Sequence, residues 1–175
     1  MSIDLKEYIR AVPNWPIEGV CFRDLTTLML DSEAFQKTCD TFYERYRDWK
    51  VDKVVGIDAR GLIFGAPLAY HLGVGFVPCR KAGKLPCKTV STSYNLEYGE
   101  ASIEIHKDAI AENERILIVD DLLATGGTAL AATRLVEELK GQVLECAFIV
   151  ELTDLKGKEK LTPHKTYSIL QFSAN

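Results

Sequence analysis

Arg115-Ile116-Leu117-Ile118-Val119-Asp120-Asp121-Leu122-Leu123-Ala124-Thr125-Gly126-Gly127-Thr128 decides how this chain is read. Ile116 to Val119 is an unbroken apolar run rich in β-branched residues, which predicts a strand buried on both faces of a parallel sheet. It ends in two adjacent carboxylates, Asp120 and Asp121. A turn of small residues, Ala124 to Thr128, follows, and Ala129 to Leu139 has the spacing and propensity of a helix.

Each part of that stretch has a chemical use. Glycines let backbone N–H groups approach a ligand closely. The first turn of a helix offers unpaired N–H donors and the positive end of its dipole, so it attracts phosphate. Thr125 and Thr128 add hydroxyls. Carboxylates repel phosphate but accept hydrogen bonds from a sugar diol, so the turn suits a phosphate and the acids suit an attached ribose. An ordinary strand-to-helix turn with two solvated aspartates is the alternative, and the paired acids beside small residues weigh against it. No Gly-x-x-x-x-Gly-Lys-Ser/Thr occurs, and Gly73-Val74-Gly75-Phe76-Val77-Pro78 lacks the third glycine of a dinucleotide fingerprint.

Outward from this stretch, the pattern repeats. Lys53 to Ile57 reads as a buried strand, Asp58-Ala59-Arg60-Gly61 as a polar turn, and Leu62 to Leu72 as a helix closed by Gly73. Backbone donors and the Arg60 guanidinium can face one anion there; the alternative is an Arg60–Asp58 pair across the turn. Val74 to Cys79 is a third strand, followed by Arg80, Lys81, Lys84 and Lys88. A charge run is usually a solvated loop, but this one leaves the end of a strand, where open α/β sheets bind ligands. Strands near 53–57, 74–79, 115–120 and 143–152 alternate with helices near 61–72 and 128–140. The expected fold class is therefore α/β, a mostly parallel sheet flanked by helices.

Further segments complete the reading, among them Asp154 to Lys160, a charged turn or short helix. Residues 2–12 have the spacing of an amphipathic helix capped by Ser2, and 14–24 an irregular loop. Asp31 or Ser32 starts a helix to about Trp49 with Phe35, Cys39, Phe42, Tyr43 and Tyr46 on its packed face. Residues 90–95 and 101–105 look like the exposed arms of a hairpin with 96–100 at its turn, a natural lid. Gly141 fits a helix C′ position, and Tyr167 to Phe172 a last strand.

The totals bound the rest. At 175 residues one domain is expected, and a net charge of −4 offers no overall basic field for nucleic acid or an anionic membrane. Five cysteines, an odd number without Cys-x-x-Cys, read as free thiols in a reducing cytoplasm. The three scattered histidines suggest no zinc site. No run has the length of a signal peptide or membrane span.

The central stretch resembles the phosphoribosyl-pyrophosphate signature of the type I phosphoribosyltransferases. Gly19 to Asp24, Gly56 to Gly61, Arg80 to Pro86 and Leu96-Glu97-Tyr98-Gly99 extend the likeness along the whole chain. The Phe-Arg-Asp and Leu-Glu-Tyr-Gly segments narrow it to the adenine-specific branch. The resemblance implies a single domain over 1–175, with a hood over approximately 1–30 and a flexible hairpin lid over approximately 82–105. It implies transfer of a phosphoribosyl group from phosphoribosyl pyrophosphate to adenine, giving AMP and pyrophosphate, with Mg²⁺ bound alongside the substrate, in a homodimer.

Roles follow from the same likeness. Ala124, Thr125, Gly126, Gly127 and Thr128 would cradle the 5′-phosphate, and Asp120 and Asp121 hold the ribose. Ala59, Arg60, Arg80, Lys81 and Lys84 would bind pyrophosphate, with a cis peptide before Ala59. Val20, Cys21, Phe22 and Arg23 would form the base pocket, mostly through backbone groups. Glu97 would take the purine N7 proton as the catalytic residue, and Tyr98 close over the site. Asp58 stands where the family often has Glu, and Cys21 where it often has an aliphatic residue; neither removes a role. Two rivals are a related transferase acting on another base and a nucleotide sensor joined to a DNA-binding module. The short chain, its acidity and Glu97 favour the enzyme.

Overall fold

The computed structural model describes residues 3–96 and 99–174. After a 3-10 turn at Leu5–Tyr8, the strands are β1 (Arg10–Pro13), β2 (Cys21–Asp24), β3 (Lys53–Ile57), β4 (Gly75–Lys81), β5 (Thr89–Leu96), β6 (Gly99–His106), β7 (Arg115–Leu123), β8 (Gln142–Leu152) and β9 (Thr166–Phe172). The helices are α1 (Thr26–Leu30), α2 (Ser32–Tyr46), α3 (Arg60–Leu72), α4 (Gly127–Glu138) and α5 (Gly157–Leu161). Seven strands form one sheet in the order β5-β6-β4-β3-β7-β8-β9, and β4, β3, β7, β8 and β9 run parallel. The antiparallel β5–β6 hairpin joins the edge through β4.

The alternation along β7 builds the layers. Leu117 and Val119 face a core with Phe42, Tyr46, Phe64 and Leu68 of α2 and α3. Ile116 and Ile118 face the other, with Ala132, Leu135 and Val136 of α4 and Leu161 of α5. A strand apolar on both faces demands helices on both sides. Helix α2 is capped by Asp31, whose carboxylate accepts the Glu33 and Ala34 N–H groups at 3.1 and 2.9 Å. Buried Glu145 of β8 pins the other end of α2. It takes both Arg45 Nε (2.7 Å) and Nη2 (2.9 Å), and the Tyr46 hydroxyl (2.7 Å).

The expected helix over 2–12 is corrected. Leu5 and Ile9 are buried at the anticipated spacing, but a 3-10 turn suffices to place them. The turn is capped by Asp4, which accepts the Lys6 N–H at 3.0 Å. The chain then extends, and β1 pairs with β2 from Arg10↔Asp24 to Pro13↔Cys21. An Arg10–Asp24 ion pair at 2.9 Å closes the ribbon. Pairing with a distant strand has overridden local periodicity, and residues 21–24 are strand where loop was expected.

Two smaller expectations also shift. The hairpin arms are not both exposed: Ile103 and Ile105 of β6 are buried against Val77 and Cys79. At the end of α4, Lys140 rather than Gly141 holds the left-handed conformation, at φ 62°. The Gly141 N–H closes the helix onto the Val136 carbonyl at 2.9 Å. Gly141 is required for space, since a Cβ would lie 2.9 Å from both Ile110 and Val136 side chains.

Candidate active site

Strands β4, β3 and β7 are adjacent and parallel, so the turns after them open on one sheet edge. From that edge α3 departs to one face and α4 to the other. Such a divergence leaves a crevice at the strand ends. The start of α3 is pressed onto β7: a Cβ at Gly61 would fall 2.5 Å from the Val119 carbonyl oxygen. The Asp58–Ala59 peptide is cis.

The glycine turn encloses a cavity of about 60 Å³ lined by Asp120 and residues 122–129. Gly126 adopts φ 80° at the cap of α4. The turn rests on Gly157, the first residue of α5, whose added Cβ would lie 2.3 Å from the Ala124 carbonyl oxygen. The expectation of a charged turn or short helix over 154–160 is met by α5, but its support of the glycine turn was not read; a lone glycine opening a charged helix was the available signal.

Strand β7 continues past the acids to Leu123, so Asp120 and Asp121 point to opposite sides of the sheet end. Asp121 is buried and accepts the Arg60 Nε–H across the crevice. The Asp120 carboxylate accepts the Asp121 N–H at 2.8 Å. Burial, then the charge of Asp121, push the Asp120 carboxyl well above its ordinary range.

The supposed Arg60–Asp58 pair is not formed. Asp58 pairs instead with Arg80 at 3.1 Å, and Arg80 Nη1 also donates to the Lys84 carbonyl at 3.3 Å. Thus both arginines reach the crevice, from the start of α3 and the end of β4, already holding carboxylates. Lys81 and Lys84 are exposed and without an ion-pair partner among the described residues. Their loop is organised by Glu104 of β6, which sequence reading missed. Its carboxylate accepts the Lys84 N–H (3.1 Å), the Leu85 N–H (3.0 Å) and the Thr89 hydroxyl (3.2 Å). Burial would raise this carboxyl, but donors from Leu85, Gly83, Thr89 and Lys84 outweigh it and the pKa is lowered.

The ribbon brings Phe22 to the same crevice, 5.9 Å beneath the Arg60 guanidinium and edge-on to Trp15 at 4.5 Å. Val20 is exposed and Cys21 half-buried beside it. Arg23 turns away: it stacks over Phe172 at 4.8 Å and donates to the Ser173 carbonyl at 3.2 Å. Only its backbone is left to line a base pocket. Glu97 and Tyr98 lie outside the described residues.

An anion turn, an acid pair that accepts hydroxyl donors, and cations on the adjoining strand ends can hold a phosphorylated sugar and a second polyanion side by side. This is the arrangement of a phosphoribosyl transferase domain: residues 29–172 match that family's model, and the chain belongs to it. More narrowly, it falls among the adenine phosphoribosyltransferases. The enzyme of that name from Desulfosudis oleivorans is 59% identical over 170 residues, covering 97% of this chain and 98% of the relative. The crystal structure of the Thermoanaerobacter pseudethanolicus adenine phosphoribosyltransferase superposes with a TM-score of 0.92 at 48% identity, covering 96% and 98% of the two chains. That from Saccharomyces cerevisiae, complexed with adenine and an imino-altritol bisphosphate, gives 0.90 at 44% identity, covering 95% and 96%.

Proposed function

We infer that this chain transfers the 5-phosphoribosyl group from phosphoribosyl pyrophosphate to adenine, forming AMP and pyrophosphate. The observation that carries the reading is the shared edge of β3, β4 and β7, where the glycine turn, the acid pair and Arg60 meet. The 5′-phosphate occupies the turn over residues 124–128. Asp120 and Asp121 accept the ribose hydroxyls and lie near the anomeric carbon as positive charge develops there, the kind of preorganised stabilisation that dominates such reactions. Ala59, Arg60, Arg80, Lys81 and Lys84 receive the departing pyrophosphate. Adenine enters between Phe22 and the sugar, held by backbone groups of 20–23.

Glu97 relieves the purine of its N7 proton as N9 bonds to the sugar, and Tyr98 covers the site. The hairpin excludes water that would hydrolyse the activated sugar. Among the described residues no three metal-ligating side chains converge. Asp120 and Asp121 would be the side chains to hold a Mg²⁺ that arrives with phosphoribosyl pyrophosphate, and the ion would supply positive charge to offset that of the leaving group.

Two coarser features support the setting. None of the described helices is long and apolar enough to cross a membrane, and all five cysteines are free, which suits a reducing cytoplasm. Leu30 and Tyr70, each 82% exposed, are the apolar groups that a second copy in a homodimer would cover. The deciding experiment is a product assay with phosphoribosyl pyrophosphate and adenine, hypoxanthine, guanine or orotate in turn. AMP from adenine alone is expected; turnover of another base in preference to adenine overturns the assignment.

A further inference from the structure

A second cavity, of about 240 Å³, lies along the flank of α4, below the glycine turn. Ser93 and Tyr94 of β5 form one wall, Gly127 and Leu130 of α4 another, and Arg134 of α4 and Lys160 of α5 supply its charge. Among the described residues its lining contains no carboxylate.

Several cations elsewhere are paired, although Lys81 and Lys84 are not among the described residues. Arg45, Lys53, Arg60, Arg80 and Arg115 each hold an aspartate or glutamate. In a chain of net charge −4, carboxylates are plentiful. Yet Arg134 and Lys160 have no ion-pair or hydrogen-bond partner among the described residues, and both face one concavity. Two like charges converging without a counter-ion repel each other, and an anion between them relieves that cost. A guanidinium and an ammonium together provide donors enough for a tetrahedral oxyanion. Hydroxyl-bearing Ser93 and Tyr94 add neutral polar groups on the opposite wall.

We propose that this cavity, which among the described residues shares only Gly127 with the cavity of the glycine turn, is a second anion site that takes the phosphate group of a small phosphorylated molecule or free phosphate. The occupant bridges β5 to α4 and α5. It therefore holds the hairpin arm against the helix that carries the 5′-phosphate turn. The site adds a ligand to the transferase reading without depending on it.

The test is a nitrogen–proton NMR titration with inorganic phosphate and, separately, glycerol 3-phosphate, on the wild type, Arg134→Gln and Lys160→Gln. Both substitutions replace exposed side chains outside the catalytic machinery. In the wild type the amides of Ser93, Tyr94 and Leu130 should shift with a half-saturation distinct from that of Thr125 to Thr128. Each variant should weaken the first set about fivefold or more and leave the second unchanged. Tighter binding of glycerol 3-phosphate identifies an ester as the occupant; equal or tighter binding of inorganic phosphate identifies the free ion. Saturating ligand should also slow amide exchange along 89–96 in the wild type only. Variants that titrate like the wild type at Ser93 and Tyr94, or shifts there that merely track Thr125 to Thr128, overturn the site. AMP formation, measured on the same samples, reports the transferase reading separately.

Discussion

Gly126 and Gly157 meet backbone to backbone beneath the phosphate turn. A Cβ on Gly126 would lie 2.6 Å from the Gly157 carbonyl oxygen, and one on Gly157 3.0 Å from the Gly126 nitrogen. The glycine turn proposed for the 5′-phosphate is thus shaped by a helix about 30 residues further along, not by its own sequence alone.

Gly157→Ala should therefore act at a distance from any reacting atom. The added methyl displaces Ala124 and Gly126, and a shift of this size in a positioning element costs about 10²-fold in kcat/KM. The overpacking costs about 1–3 kcal/mol of stability. Steady-state kinetics and urea unfolding measure both; wild-type kinetics in the variant would remove Gly157 from the site.

Asp120→Asn separates stability from catalysis. The folded-state pKa of Asp120 is raised above 3.8, so the fold holds this proton more tightly than the unfolded chain. The stability that follows is present at low pH and is lost as pH rises through the folded value. The variant should match the wild type in thermal melts near pH 4 and exceed it at pH 8. Turnover should fall about 10²-fold, as when one electrostatic stabiliser is removed.

Glu104 has the opposite sign. Its folded pKa lies below 4.5, so its support of the basic loop is complete above that pH and is lost as pH falls through the folded value. Hydrogen exchange at Lys84 and Leu85 should accelerate relative to the sheet on acidification below pH 4.5. Glu104→Gln should already show that loosening at pH 7, with KM for phosphoribosyl pyrophosphate raised and kcat little changed. Unchanged protection of the two amides in the variant would contradict the assignment.

Glu97→Gln should reduce kcat about 10²- to 10⁴-fold, the range of general acid–base contributions. KM for adenine should change little, since the amide still accepts a hydrogen bond. Single-turnover measurements distinguish this from slowed product release.

The parallel sheet was legible because its strands are apolar on both faces and its glycine turns are local. The glycine turn and the acid pair at its edge were legible for the same reason: residues 120–128 are contiguous. What sequence could not show is set by partners far along the chain. Arg10 to Pro13 extend because Cys21 to Asp24 lie beside them. Ile103 and Ile105 are buried because β6 pairs with β4. Arg60 finds Asp121 rather than neighbouring Asp58 because β3 and β7 are adjacent in space. Glu104 and Gly157 matter only through segments about 20 and 30 residues away, so no motif marks them.

The Arg60–Asp121 and Arg80–Asp58 pairs mean that both guanidiniums of the resting crevice already hold a carboxylate, leaving Lys81 and Lys84 as its cations without an ion-pair partner among the described residues. An incoming polyanion does not fall into a bare positive well; it must pry each guanidinium from an existing companion. Association is then an exchange of partners, with a driving force that is a difference between two similar attractions. Its rate should respond only shallowly to ionic strength at the two guanidiniums, and Asp121, released from Arg60, would become available to the ribose proposed for it as the phosphates arrive.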